Sequence, residues 1–163
     1  MLKEIKVELA FNDNSEQIVL LDGEDVSSLI RTPEVSMTAS KISAIPEVRA
    51  YLLDLQRDMA KKNNVIMDGR DIGTVVLPDA KVKIFLTASP EARAERRYKE
   101  LLEKGMNVSY DDVLIDVNER DYNDSHRKTA PLKPAEGCVF VDTTELDFEQ
   151  SVEKIISVIK ENV

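Results

Sequence analysis

The chain has 163 residues, with 22 Lys and Arg against 31 Asp and Glu, for a formal net charge of −9. That length suits one compact domain, or one with a small inserted lobe, and the acidic balance argues against a nucleic-acid or membrane-surface partner. Cys138 and His126 are the only residues of their kinds, so an internal disulfide, a cysteine zinc site and the HExxH pattern are excluded. The sequence shows no 18-residue apolar run and no leader-like apolar segment at its start, so a soluble, cytoplasmic protein is predicted.

Ile5, Val7 and Leu9 alternate with Lys6 and Glu8, the period of a half-buried strand. Asn12-Asp13-Asn14-Ser15 is turn chemistry, and Gln17 to Leu21 reads as the second strand of a hairpin that Asp22-Gly23 then punctuates. Pro33 starts the next segment. From Pro46, Val48, Leu52, Leu55 and Met59 recur at helical spacing behind a proline suited to a first turn. Val65-Ile66-Met67 and Val82 to Leu86 read as buried strands. Ser89-Pro90-Glu91 opens a helix that should stop near Gly105, and Ser109 opens another. Val139-Phe140-Val141 is a third buried strand, and Phe148, Val152, Ile155, Ile156 and Ile159 line one face of a closing helix. Continuous apolar strands alternating with helices predict a parallel α/β sheet.

Ligands of such sheets bind beyond the carboxyl ends of the strands. There Asp68-Gly69-Arg70-Asp71-Ile72-Gly73-Thr74 leaves the first buried strand with an Arg and two Asp, and its two glycines permit a tight turn. The same composition also suits an ordinary solvated loop. In Asn118 to Lys128, helical spacing would put Arg120, Asp124 and Arg127 on one face. Two guanidiniums around a carboxylate could grip phosphate and a sugar hydroxyl, or could form a surface salt-bridge ladder. Ser40 and Arg49 carry no message by spacing alone. Arg93, Arg96 and Arg97 sit among Glu95 and Glu100 and read as a solvated charged face; His126 reads as a surface residue, and Cys138 as a small buried hydrophobe.

The run Gly69-Arg70-Asp71-Ile72-Gly73-Thr74-Val75-Val76-Leu77-Pro78-Asp79-Ala80, followed by Lys83-Ile84-Phe85-Leu86-Thr87-Ala88, resembles the bacterial cytidylate kinase family of P-loop nucleoside monophosphate kinases. Gly23-Glu24-Asp25-Val26-Ser27, Ile30-Arg31-Thr32, Glu119-Arg120-Asp121 and Ala130-Pro131-Leu132 extend the likeness in order along nearly the whole chain. The resemblance implies phosphoryl transfer from ATP, with Mg2+, to CMP or dCMP. It implies Ser40, Arg49 and Asp71 as readers of cytosine, Arg70, Arg120 and Arg127 as catalytic phosphate-holding residues, and Asp124 as the ribose contact. It further implies a monophosphate-binding lobe over residues 1–63, carrying a β-hairpin insert that ends near residue 45. Residues 64–163 would be a kinase core with a short lid near 103–112.

One part of the pattern has no counterpart. The P-loop G-x-x-x-x-G-K-[ST] needs glycines five apart and a Gly-Lys pair, whereas glycines stand at 23, 69, 73, 105 and 137 and no Gly-Lys occurs. The resemblance therefore implies an incomplete P-loop-kinase-like α/β fold: a parallel sheet with helices on both faces, a small antiparallel β insert near the N-terminus, and the central P-loop strand absent. It puts that strand between residues 65–68 and 82–87, so the expectation is an N-terminally truncated family member with a slot of about 9.5 Å, twice the interstrand spacing, or a rearranged sheet. ATP would then bind only if the missing segment were supplied, and the solitary chain should be inactive. The other expectation is a non-catalytic CMP-binding or interaction module.

Overall fold

A computed structural model describes residues 4–43 and 45–163; within α1, the side chains of Pro33, Ser36, Met37 and Ser40 also lie outside the described part. The chain divides into two compact units, Met1–Asn64 and Val65–Val163.

In the first unit, β1 (Val7–Phe11) and β2 (Gln17–Leu21) pair antiparallel with Val7 opposite Leu21 and Phe11 opposite Gln17. The first strand lies two residues later than Ile5–Leu9 because the turn anchors it. The Asn12 side-chain oxygen accepts from the amides of Asn14 and Glu16 at 3.0 and 2.9 Å, so the ladder runs up to Phe11. A two-residue β3 (Glu24–Asp25), absent from the sequence reading, adds to the other edge of β2. Asp22 and Gly23 both have positive φ (51° and 91°), the backbone of a tight hairpin turn, and Gly23 supplies the larger excursion. Ser27 Oγ closes the insert by accepting from the Val19 amide at 2.8 Å.

Helix α1 (Pro33–Ile42) begins at Thr32, whose hydroxyl accepts from the Val35 amide, and α2 (Pro46–Lys62) carries proline at its first turn and Lys61 and Lys62 at its last. The Tyr51 hydroxyl donates to the Ile5 carbonyl at 2.7 Å, tying α2 to the chain entering β1.

In the second unit, β4 (Ile84–Thr87) and β5 (Val139–Asp142) form a parallel pair with Ile84 opposite Val139 and Thr87 opposite Asp142. The strand expected at Val65-Ile66-Met67 does not form. Those residues carry no ladder, and Ile66 is 93% exposed. An apolar run becomes a strand only when a neighbour takes up its backbone groups, and among the described residues β4 is bonded to β5 alone. Nor are the strands buried on both faces: Val141 is fully enclosed, while Leu86 and Phe140 are exposed. Cys138, just before β5, is half-buried rather than buried.

The helices of this unit follow their local signals. Ser89 and Ser109 cap α3 (Pro90–Glu103) and α4 (Tyr110–His126) by accepting from Ala92 and Asp112 amides, each at 3.1 Å. Gly105, at φ 73°, ends α3: its amide bonds to Leu102 and that of Met106 to Leu101, the paired bonds of a left-handed C-terminal cap. Asp147 and Gln150 exchange side-chain-to-backbone bonds to start α5 (Phe148–Asn162). The core lies between α3 and α4, where Ala94, Leu101 and Val113 are buried and Tyr98 meets Tyr110 edge-on at 6.1 Å.

Candidate functional site

The loop before β4 and the end of α4 meet in one charged constellation within the second unit. Residues Ile72–Val76 make a single wide turn in which the amides of Val76 and Leu77 bond five residues back, to Asp71 and Ile72. Such turns rarely form from local preference and are frequent at functional sites. Its glycines act by their lack of a side chain, not by unusual φ. A Cβ on Gly73 would stand 3.1 Å from Ala135 Cβ, and one on Gly69 would stand 2.9 Å from the Ile72 side chain. The expected tight turn is thus a packed one, which delivers Arg70 and Asp71 as a rigid pair.

Both members of the pair reach the segment that begins with α4. Arg70 Nε donates to Asp124 Oδ2 at 2.8 Å, and Arg127 Nη2 lies 3.6 Å from Asp71 Oδ1. Consecutive loop residues of opposite charge are matched by residues three apart near the helix end, so the two ties run side by side. Arg120 Nε stands 4.0 Å from the same Asp124 oxygen. Asp71 and Asp124 are buried, which strengthens their electrostatic interactions relative to a solvated ladder. The surface-ladder alternative does not describe Arg127 either, whose side chain is only 15% exposed.

Arg127 does not share a helical face with Arg120 and Asp124. It is the C-cap residue, with extended backbone, because α4 ends at His126 and the chain turns through Ala130 at φ 49° into Pro131. Its Nε donates to the Ala130 carbonyl at 2.7 Å, and the Leu132 amide returns to the Asp124 carbonyl at 2.8 Å. Arg127 Nη2 is buried without a hydrogen-bond acceptor. Its ion-pair partner, Asp71 Oδ1 at 3.6 Å, stands beyond hydrogen-bond range, so a closer charged oxygen is the partner this nitrogen still suits.

The constellation carries more positive than negative charge, since Arg70, Arg120 and Arg127 face Asp71 and Asp124. Burial holds the Arg120 pKa below the ordinary arginine value, and the neighbouring cations Arg70 and Arg97 push it the same way. Guanidiniums crowded in this manner favour a multiply charged anion.

Arg93, expected on a solvated face, is half-buried, while Arg96 is exposed as expected; both reach partners beyond their own helix. Arg93 forks onto Asp121 at 2.8 and 2.5 Å and donates from Nε to the Ala88 carbonyl at 3.1 Å. Arg96 donates to the carbonyls of Thr143 and Leu146 beyond β5. Only Arg97 keeps a local partner, Glu100 at 2.7 Å. No sequence signal marks the Arg93–Asp121 pair, which joins residues 28 apart on different helices. His126 is exposed, as expected, and stacks on Tyr122 at 4.1 Å.

The Arg93 hydrogen bonds hold the Asp121 carboxyl below its ordinary value of 3.8, assisted by the charges of Arg93, Arg70 and Arg120. A depressed carboxylate contributes stability above its unfolded-state pKa and loses it as pH falls through the folded value. Relative to Asp121→Asn, the wild-type chain should therefore keep a constant stability advantage near neutrality that closes below pH 3.8, checked by urea unfolding across a pH series.

Of the remaining candidates, Arg49 lies in α2 of the first unit, where Nη1 donates to the Ser43 carbonyl at 3.2 Å. Ser40 lies in α1, and its side chain is outside the described residues. Among the described residues no three His, Cys, Asp or Glu gather as a metal centre, and no helix is long and apolar enough to cross a membrane.

Residues 1–161 match the family model described as cytidylate kinase. The chain is 50% identical over 159 residues to the cytidylate kinase of Carboxydothermus hydrogenoformans, covering 98% of this chain and 71% of that protein. It is 49% identical over 160 residues to the cytidylate kinase of Thermosipho melanesiensis, again covering 98% and 71%. With the cytidylate kinase of Caldanaerobacter subterraneus subsp. tengcongensis it shares 55% identity over 144 residues, 88% of this chain and 64% of the relative.

Proposed function

The chain belongs to the cytidylate kinase family, a family of phosphotransferases, and from that premise we propose that it serves phosphoryl transfer from ATP to CMP or dCMP by gripping the monophosphate. The observation that carries the reading is Arg127, a nearly enclosed guanidinium whose Nη2 has no acceptor closer than Asp71 at 3.6 Å, while Arg70 and Arg120 crowd around the neighbouring carboxylate. In this reading the three arginines hold phosphate oxygens and Asp124 takes a ribose hydroxyl. Phosphoryl transfer is chiefly positioning and charge neutralisation, which an arginine-rich site without a general base supplies.

Ser40, Arg49 and Asp71 read the base. Cytosine offers an amino donor at N4 and acceptors at N3 and O2, so a carboxylate or hydroxyl accepts from the first while a guanidinium donates to the others. Uracil sets an oxygen against the same carboxylate and is rejected by that mismatch. The loop joining α3 to α4, within residues 103–112, acts as the lid.

The donor side is separate. Nothing in these 163 residues has the P-loop pattern that cradles ATP phosphates. Magnesium would arrive with ATP, carried mainly by phosphate oxygens and water. The 163-residue polypeptide alone is therefore proposed to bind CMP without phosphorylating it. The test pairs calorimetric titration of CMP and UMP with an ATP-coupled assay on the same preparation. Selective CMP binding without turnover supports the proposal, ordinary turnover overturns the claim of inactivity, and equal indifference to CMP and UMP removes the substrate assignment. The second reading, a non-catalytic binding module, would be favoured if adding a P-loop peptide to a CMP-binding chain restored no activity.

A further inference from the structure

Asp121 is a carboxylate in the field of the arginine cluster that the monophosphate reading leaves without a task. It precedes Asp124 by about one turn of α4, so the two carboxylates are neighbours on the helix surface. Its field is that of the seat: Arg70 and Arg120, besides Arg93, all favour its charged form. A mobile carboxylate there would compete with phosphate for those two guanidiniums.

Arg93 prevents that freedom. Its fork takes both Asp121 oxygens, and its third nitrogen is fixed on the carbonyl of Ala88, just past the carboxyl end of β4. With Nε held on the Ala88 carbonyl, the guanidinium cannot follow the carboxylate elsewhere without breaking that bond, and the carboxylate cannot leave without breaking the fork. From this geometry we propose that Arg93 is a positioning residue that holds the Asp121 carboxylate away from Arg70 and Arg120, keeping those guanidiniums available to phosphate. The inference rests on the phosphate-seat part of the reading above, and needs neither cytosine recognition nor turnover.

A pair serving only to fasten α3 to α4 predicts that either single substitution weakens the site alike. The guard predicts opposite signs. Titrated with pyrophosphate and separately with CMP, the 163-residue Arg93→Ala chain should bind about tenfold more weakly, the scale of one unrestrained charge near the seat. Asp121→Asn should bind as tightly as wild type or a few-fold tighter, and the double substitution should return to within about threefold of wild type. If Arg93→Ala does not fold, as judged by circular dichroism, Asp121→Asn alone decides, because a loss of affinity there overturns the guard. Binding of pyrophosphate but not CMP would remove the cytidylate assignment and leave the guard to be judged by the same signs. Failure of the wild-type chain to bind either anion overturns it.

Discussion

Arg127→Ala should weaken binding of CMP about 100-fold, close to the loss of a charge-assisted hydrogen-bond pair from a poorly solvated site. The side chain is 15% exposed, so salt and water screen it little, and Nη2 has only a long ion pair with Asp71, at 3.6 Å, to give up. The effect on folding should be far smaller, about 1 kcal/mol, because a single hydrogen bond from Nε to the Ala130 carbonyl is lost and the contact with Asp71 is long at 3.6 Å. Arg127→Lys tests the geometry. An ammonium keeps the charge but cannot hold the Ala130 carbonyl and a phosphate oxygen together, so it should recover only a small part of the affinity. Calorimetric titration at fixed ionic strength, beside urea unfolding of each variant, measures both. Unchanged affinity in Arg127→Ala would remove Arg127 from the site.

What sequence reading reached and what it missed divide along the range of the interactions. Ser89-Pro90, Ser109 and Gly105 mark helix ends through bonds made within a few residues, and all three ends lie where those residues indicate. The i, i+4 spacing of Arg120 and Asp124 is of the same kind. Val65–Met67 is not, because its apolar run needs a neighbouring strand to become one, and a sequence window contains no neighbour. The wide turn at Ile72–Val76 likewise depends on Gly73 packing against Ala135, 62 positions away, which no local preference encodes.

The site shows both cases in one residue. Asp124 is legible as Arg120's helical neighbour, yet its stronger partner is Arg70, 54 positions earlier. The family likeness assigned Arg70 and Asp124 separate roles on one ligand. Their direct bond adds that each holds the other in place. Arg93 shows the limit of composition: among Glu95, Arg96, Arg97 and Glu100 it looks like one charge in a solvated row, and only the tertiary fold aims it at Asp121.

Asp124→Asn should move stability and anion affinity in opposite directions. The carboxylate is nearly enclosed, accepts from Arg70 Nε at 2.8 Å and lies 4.0 Å from Arg120 Nε. An amide of the same shape can still accept one bond but no longer neutralises two guanidiniums that repel each other. Unfolding stability should fall by about 2 kcal/mol, below the cost of breaking a fully buried pair because Arg70 is 37% exposed. Pyrophosphate, however, should bind several-fold more tightly, since a negative charge has left its seat and the two cations now need an external partner. Raising ionic strength should shrink that gain, which separates an electrostatic cause from a change of shape. If stability and pyrophosphate affinity fall together, Asp124 is holding the arginines in a geometry that phosphate itself requires, and the excess-charge account of the seat fails.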